Sequence, residues 1–242
     1  MTTITKTTVV LFAITILFAT CGKNEESNKT KTLSSVVITN NDGILTYNYK
    51  YDTQGRLTEI SLQNPYLVFY TFTYMADGKI EKIRHSYDGQ SFVDFTYSYS
   101  DDSKVPDRMK YSGNLPAYTT DVIYSNNTLL FNDEEGDEYA VEGINVENNT
   151  FSSIVMDGKT YIIHFNRQLK NGLEKQSVLN IPLSMTMGNF LMYQFYGGLP
   201  LNAQVVTGLE TSDGQQLNLQ YETDATGYIT KIKNGNVEYR YK

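Results

Sequence analysis

Apolar and polar side chains alternate along most of the chain from Leu33 onward. Residue pairs that favour tight turns, such as Asp42-Gly43 and Asp157-Gly158, separate the alternating runs. A period of two puts successive side chains on opposite faces of a strand, and glycine accepts the positive φ angle of a hairpin turn. The pattern predicts an all-β protein: an antiparallel meander of roughly a dozen strands that forms a closed or half-open barrel.

Several runs repeat one hairpin motif, in which an aromatic strand, a turn with glycine and a return strand follow one another. Tyr47–Ile60 and Tyr70–Ile83 start 23 residues apart, Leu217–Ile232 is a later copy, and Phe95–Val105 is a weaker one. Repetition at a fixed period indicates stacked supersecondary units. Each copy is therefore expected to form one hairpin.

The two strands of each repeat have different patterns. In the first strand aromatic residues alternate with polar ones such as Asn48 and Lys50, so one face is expected in the core and the other in solvent. In the return strand Leu57 and Ile60 are three positions apart, which places them on opposite faces of a regular strand. Either a β-bulge restores the parity or both faces of the return strand are covered.

One segment has a helical pattern instead of an alternating one. Met187, Leu191 and Phe195 recur at helical spacing, and Gly197-Gly198 ends the pattern. This spacing predicts one short helix near 186–196, which would plug an end of the barrel. A loop is the alternative.

The first residues have the pattern of an export signal. Lys6 precedes the apolar run Val9–Ala19, and Cys21, the only cysteine of the chain, follows it. The apolar run is shorter than the roughly 20 residues that a membrane-spanning helix needs. Cys21 resembles the lipobox cysteine of bacterial lipoproteins, which is acylated and becomes the mature N-terminus. The alternative is an ordinary signal peptide with an incidental cysteine.

We therefore divide the chain into a lipoprotein signal peptide at 1–20, a flexible tether at 21–32 and a single β domain at 33–242. Gly22 and the acidic pair Glu25-Glu26 resemble signals that direct lipoproteins to the outer membrane and the cell surface. A solvated linker is the alternative for this stretch. The expected membrane partner is the bilayer that holds the lipid on Cys21.

Composition and charge narrow the classes of partner. The chain of 242 residues has a net charge of −7 and no Trp, but 20 Tyr and 11 Phe. Phosphate backbones repel an acidic chain without a basic stripe, so nucleic acid is not expected as a partner. Tyr and Phe are expected mostly in the core, and those left exposed on a rim would bind glycan or protein.

Candidate catalytic residues are few. His85 and His164 are the only histidines, both fall in predicted strands, and no Gly-x-Ser-x-Gly turn is present. The strand carboxylates Asp94, Asp121 and Glu142 would act as a hydrolytic pair only if the fold brought two of them together. We predict no catalytic residue and no cofactor, and an extracellular glycan-acting enzyme is the alternative to a non-catalytic module.

The densest group of oxygen ligands is Asn132–Glu138, around Gly136. Its chemistry suits Ca²⁺, but it lacks the ligand spacing of an EF-hand. A solvated acidic hairpin loop is the expected structure, so no metal site is predicted.

Tyr49–Thr58 resembles a YD repeat, and the order of three further motifs resembles a family of bacterial lipoproteins of unknown function. These motifs are Asn189–Pro200, the hairpin Tyr221–Ile232 and the terminal Tyr239–Tyr241. The resemblance covers about 33–242 and implies a porin-like β fold, with no established activity. A membrane-spanning pore is the less favoured alternative, since the strand faces opposite the aromatic residues are polar.

These features predict a lipid-anchored protein, exposed at the surface of the outer membrane, that acts as a non-catalytic binding or structural module. Its ligand would be glycan or protein. The irregular segment Met187–Pro200 is the expected border of the binding site, because irregular segments on a rigid scaffold often carry function.

Replacing Cys21 with alanine tests the predicted address. The variant should lose the lipid and be released from membranes, because the chain has no other thiol to acylate. Mass spectrometry of the membrane and soluble fractions measures both effects. A wild-type protein that is soluble and cleaved at another residue would contradict the prediction.

Overall fold

The structure is a computed structural model that describes residues 30–63, 67–86, 92–100, 102–113, 117–132, 136–186, 200–201, 203–233 and 235–242. Within these ranges the chain forms eighteen β-strands, a 3₁₀-helix at Glu174–Leu179 and one α-helix, α1, at Asn180–Ser184. The predicted all-β, antiparallel class is confirmed. The strands outnumber the predicted dozen because several have only three or four residues, too few for alternation to reveal.

The strands form two antiparallel sheets, and neighbours in sequence are neighbours in a sheet. The larger sheet has eleven strands in the order β16-β17-β18-β1-β2-β3-β4-β5-β6-β7-β8, and the smaller has seven in the order β15-β14-β13-β12-β11-β10-β9. Their bounds are β1 Leu33–Asn40, β2 Gly43–Tyr51, β3 Leu57–Leu62, β4 Leu67–Tyr74, β5 Ile80–Ser86, β6 Phe92–Ser98, β7 Arg108–Ser112, β8 Tyr118–Asp121, β9 Ile123–Ser125, β10 Thr128–Asn132, β11 Glu138–Glu142, β12 Ser153–Met156, β13 Lys159–Asn166, β14 Val205–Thr211, β15 Gln216–Asn218, β16 Tyr221–Thr223, β17 Ile229–Ile232 and β18 Val237–Tyr241.

Among the described residues neither sheet closes on itself. The chain changes sheets twice, at Val122 between β8 and β9 and at Leu219-Gln220 between β15 and β16. Strands that switch sheets form corners between two packed layers. The predicted closed barrel is therefore wrong, and two open sheets that share one hydrophobic cluster take the place of a single half-open one.

The larger sheet is a row of five hairpins, β16–β17, β18–β1, β2–β3, β4–β5 and β6–β7, followed by β8. The second of these has no turn, because its aromatic strand is the last of the described strands and its return strand is the first of them. Leu33 and Val36 are fully buried there, as Leu57 and Ile60 are in the next hairpin. The first and last strands thus complete one repeat between them.

A β-bulge interrupts the return strand of four hairpins at the same place. The register shifts opposite Lys50/Tyr51 in β2–β3, opposite Thr73/Tyr74 in β4–β5 and opposite Glu222/Thr223 in β16–β17; β1 has the matching shift between Leu33 and Ser35. One extra residue restores the parity of the side chains. The bulge is therefore the correct alternative of the two that the odd spacing left open.

The turn of the first repeat, Asp52-Thr53-Gln54-Gly55, has the pattern Asp-x-x-Gly, and its hydrogen bonds explain the two end residues. Asp52 accepts hydrogen bonds on Oδ1 from the backbone amides of Gln54 and Arg56, both at 2.9 Å. Gly55 has φ +77° and donates its amide to the Asp52 carbonyl at 3.0 Å. Gly78 has φ +89° in the equivalent turn. The positive φ angles expected from the turn pattern are confirmed at both glycines.

The described first part of the connection between β13 and β14 runs into the core. Leu179, Ile181 and Leu183 are fully buried, and the Tyr97 hydroxyl of β6 donates to the Pro182 carbonyl at 2.9 Å. The Gln176 side chain accepts from the Leu57 amide at 2.9 Å and donates to the Gly55 carbonyl at 2.8 Å. This connection therefore fixes itself to the backbone of the repeat turn.

The observed helix does not coincide with the predicted one. Helix α1 ends at Ser184, and of the predicted segment 186–196 all but Thr186 lies outside the described residues. All five residues of α1 are buried, so the helix has no solvent-facing polar side. Its sequence therefore lacks the amphipathic pattern by which a surface helix is recognised.

Replacing Gly55 with valine should destabilise the protein by about 1 kcal/mol or more, because a β-branched residue is strained at positive φ. A Cβ at this position meets no atom within 4 Å, so the cost is one of backbone conformation alone. Gly55→Asn is the matched control and should cost less, since asparagine tolerates this region. Urea unfolding measures both, and equal stability of Gly55→Val and wild type would contradict the assignment.

Candidate binding cleft

One end of the two sheets brings together the repeat turns, the ends of the core connection and the first described residues. Gln176 reaches the turn at Gly55, and Asn180 donates to the carbonyl of Asn149 at 2.7 Å. Lys170 forms a parallel bridge with Tyr228 in the turn after β16. We call this end the rim.

A cleft of about 410 Å³ opens at the rim, within the size range of small-molecule sites. Loops from the smaller sheet and the 3₁₀-helix form its walls. The lining residues are mostly polar: Asn148, Asn166, Arg167, Leu169, Lys170, Glu174, Ser177, Asn180, Ala203 and Gln204.

The chain turns sharply where it leaves β13 for the cleft. Asn166 accepts the amide of Gln168 on its Oδ1 at 2.9 Å, which forms an Asx turn. Gly172 has φ +77°, and a Cβ there would lie 2.5 Å from the Leu33 nitrogen, so only glycine fits. Glu174 Oε1 accepts the amides of Asn171 at 2.8 Å and Gly172 at 3.1 Å. These hydrogen bonds hold residues 166–174, which form one wall of the cleft, in place.

Asn180 connects two further wall segments of the cleft, the loop at Asn149 and the segment at Ala203. It is 2% exposed, and besides its bond to Asn149 it accepts the Ala203 amide on Oδ1 at 3.0 Å. A buried amide with both ends engaged fixes the segments it joins, because breaking either bond leaves a buried polar atom without a partner. The cleft therefore has rigid walls before any ligand binds.

The chemistry of the cleft is that of reversible polar recognition. Amide and hydroxyl groups predominate, with two cations, Arg167 and Lys170, and one carboxylate, Glu174, which already accepts two backbone amides. Leu169 and Ala203 are the apolar lining residues. Such a surface suits a ligand with hydroxyl and charged groups and disfavours an apolar one.

His85 lies on the inner face of β5 and is 0% exposed. Its ring stacks on Tyr70 with 4.7 Å between centroids, and burial lowers the pKa of His85 to about 4. His164 lies half-exposed on β13, where its Nε2 is 3.8 Å from Glu210 Oε2. Neither histidine lines the cleft.

The three strand carboxylates are committed to separate partners. Asp94 on β6 accepts two hydrogen bonds from Arg84, at 2.7 and 2.8 Å. Asp121 on β8 lies 3.0 Å from Arg108 Nε, and Glu142 on β11 accepts from the Ser153 hydroxyl at 2.8 Å. None of the three lines the cleft.

The remaining predicted sites fall partly or wholly outside the described residues. These include Cys21, residues 187–199 of the predicted border Met187–Pro200, and the centre of the acidic loop; of that loop Asn132 donates to the Gly136 carbonyl at 3.0 Å. The described part of the chain contains no group of three potential metal ligands. No helix within it has the length and hydrophobicity needed to cross a bilayer.

Sequence reasoning missed the cleft residues, because they come from four separate stretches of the chain. The one available signal was the long interval between β13 and β14. Connections of this length inside a compact β protein are uncommon and are often functional. The predicted border lies within that interval, and Asn180 before it and Gln204 after it both line the cleft.

The buried imidazole predicts acid sensitivity. The unfolded chain binds a proton at His85 with a pKa near 6.5 and the folded chain with a pKa near 4, so stability falls as pH drops between these values, by up to about 3 kcal/mol. Urea unfolding at pH 7.5 and 4.5 should show this loss in wild type and in His164→Gln, but not in His85→Phe.

An NMR titration provides a second measurement that does not depend on the folding of the variant. The chain has two histidines, and His164→Gln identifies the resonance of the other. A His85 imidazole that titrates near 6.5 in the folded protein would refute its burial.

Two solved structures are similar to the chain over most of its length. A porin-like protein from Bacteroides uniformis has a TM-score of 0.45 and 16% sequence identity, and the match covers 88% of this chain and 99% of that protein. A porin-like protein from Bacteroides vulgatus has a TM-score of 0.46 and 9% identity, with the same coverage. No protein-family model matches the chain, and no curated protein matches it. At these identities the likeness concerns the fold and assigns neither ligand nor activity.

Proposed function

We propose that this protein is a lipid-anchored binding module at the surface of the outer membrane, and that it binds its ligand reversibly in the rim cleft. The observation that carries the proposal is the rigid, polar cleft. The side chains that hold its walls, Glu174 and Asn180, already have hydrogen-bond partners within the protein. Preorganised polar walls favour binding because little conformational entropy is lost when the ligand arrives.

The position of the first described residues indicates where an anchor at Cys21 would hold the cleft. Lys31 donates its backbone amide to the Tyr228 hydroxyl at 3.0 Å and its ammonium to Asp224 at 2.6 Å. The ten residues from a lipid on Cys21 to Lys31 span at most roughly 35 Å. An anchor at Cys21 would therefore keep the rim and its cleft close to the bilayer.

The cleft chemistry favours binding over hydrolysis. Glycoside hydrolysis by paired carboxylates needs an acid and a base or nucleophile on either side of the bond. Among the described lining residues Glu174 is the one carboxylate, and its Oε1 accepts two backbone amides. The arrangement supports a non-catalytic module.

Blocking the cleft tests the proposal. The protein purified in detergent should bind a subset of probes on an array of glycans and peptides, and Ser177→Trp should weaken that binding at least about tenfold by filling the cleft. Ser212→Trp, in the exposed turn at the far end of β14, is the matched control and should bind as wild type does.

Two results would contradict the proposal. One is binding that Ser177→Trp leaves unchanged. The other is turnover of a bound glycan that Glu174→Gln abolishes, which would make the protein a glycan-acting enzyme.

A further inference from the structure

We infer that the rim cleft selects an acidic saccharide, a sugar that carries carboxylate, sulfate or phosphate groups; this inference rests on the proposed binding function. The class of ligand follows from the two cleft cations, Arg167 and Lys170, which form no ion pair within the described residues.

The two cations of the cleft have no acidic partner in the described part of the chain. Three other cations near the rim are paired, Lys31 with Asp224, Arg56 with Asp52 and Lys79 with Asp77, whereas Lys104 and Lys242 form no ion pair within the described residues. Arg167 and Lys170 form no ion pair within the described residues, although both line the cleft.

Glu174 offsets one of these two charges but forms no ion pair with either cation within the described residues. Its Oε1 accepts the backbone amides of Asn171 and Gly172, which are part of the wall. With two cations and one carboxylate, the lining of the cleft carries a net charge of +1 on a chain whose net charge is −7. An anionic ligand would receive charge-assisted hydrogen bonds from both cations.

Lys170 is held in position before a ligand arrives. Its backbone donates to the Gly227 carbonyl at 3.0 Å and accepts the Ile229 amide at 2.8 Å. Its ammonium lies 5.3 Å from the centre of the Tyr228 ring, a ring that is itself 3% exposed. A cation over an aromatic face keeps its charge and its remaining donors for a ligand.

The neutral part of the ligand is read by amides and a hydroxyl. Asn148, Asn166 and Gln204 line the cleft together with Ser177. Amide side chains both donate and accept, as the hydroxyl groups of a sugar do. Peptides are often recognised in an apolar groove or pocket. Leu169 and Ala203 are the apolar residues of the cleft, so it offers little apolar surface for a peptide.

The same chemistry occurs in free acidic polysaccharides and in the phosphorylated sugar headgroups of glycolipids. The experiment therefore uses three probes: a carboxylated oligosaccharide (oligogalacturonate), its neutral counterpart (oligogalactose), and phosphatidylcholine vesicles with and without a phosphorylated glucosamine lipid. Affinity is measured with the protein in detergent for the oligosaccharides and with lipid-anchored protein for the vesicles.

Wild type should bind the acidic probe at least about tenfold more tightly than the neutral one, with an affinity that falls as salt rises. Arg167→Gln and Lys170→Gln should each remove most of this preference, by lowering affinity for the acidic probe more than affinity for the neutral one. Lys175→Gln, an exposed neighbour that does not line the cleft, is the matched control. Binding to the glycolipid vesicles alone identifies the headgroup as the source, and binding to oligogalacturonate identifies a free polysaccharide.

The other outcomes overturn the inference in distinguishable ways. Equal affinity for acidic and neutral probes, lost in Ser177→Trp, refutes the charge selectivity but keeps the binding function. Acidic binding that survives both cation substitutions, or binding of acidic peptides in place of sugars, refutes the inference as well. Absence of any cleft-dependent binding refutes the inference and the proposed function together.

Discussion

Neighbouring hairpins of the larger sheet are joined by a hydrogen bond from a tyrosine hydroxyl to the backbone carbonyl of a bulge, and the rest of the structure depends on this bond. A bulge interrupts the strand ladder and leaves a carbonyl that needs another partner. The donors are Tyr51 to Leu33, Tyr74 to Leu57 and Tyr241 to Ile229, at 2.7, 2.7 and 2.6 Å. Burial raises the pKa of each of these tyrosines, so the hydroxyl remains a donor at any physiological pH. The basic residue of one turn also lies over the tyrosine of the next hairpin, as Arg56 does over Tyr74 at 4.5 Å.

Backbone pairing of β1 with β18 joins the two ends of the described β domain and places the first described residues at the rim. Tyr241 belongs to β18 and Leu33 to β1, so the second hairpin of the row forms only when the last strand meets the first. Thr32 and Lys242 exchange backbone hydrogen bonds at 3.1 and 3.0 Å where the other hairpins have a turn. This closure brings Lys31 onto the rim beside Tyr228. The cleft and the first described residues share one end of the fold for that reason.

Local patterns predicted the features that depend on local chemistry. Gly55 and Gly78 adopt the expected φ angles, and the aromatic residues of the first strands, such as Tyr49 and Phe72, face the core as the alternation indicated. The pairing of β1 with β18 could not be predicted, because the two halves of that repeat lie at opposite ends of the sequence. The bulge was one of two alternatives, because residue spacing shows which side chains share a strand face but not whether the second face is also buried. The cleft has no local signature, because hydrogen bonds over long sequence separations, such as that from Asn180 to Asn149, assemble it.

The polar residues of the core connection fall into two groups with different physical roles. Gln176 and Asn180 satisfy backbone groups that burial would otherwise leave without partners, and their loss would destabilise the fold itself. Arg167 and Lys170 form no ion pair within the described residues, although the chain contains 27 acidic residues. Under the proposed function, the connection forms a rigid wall of the cleft with the first group and a recognition surface with the second.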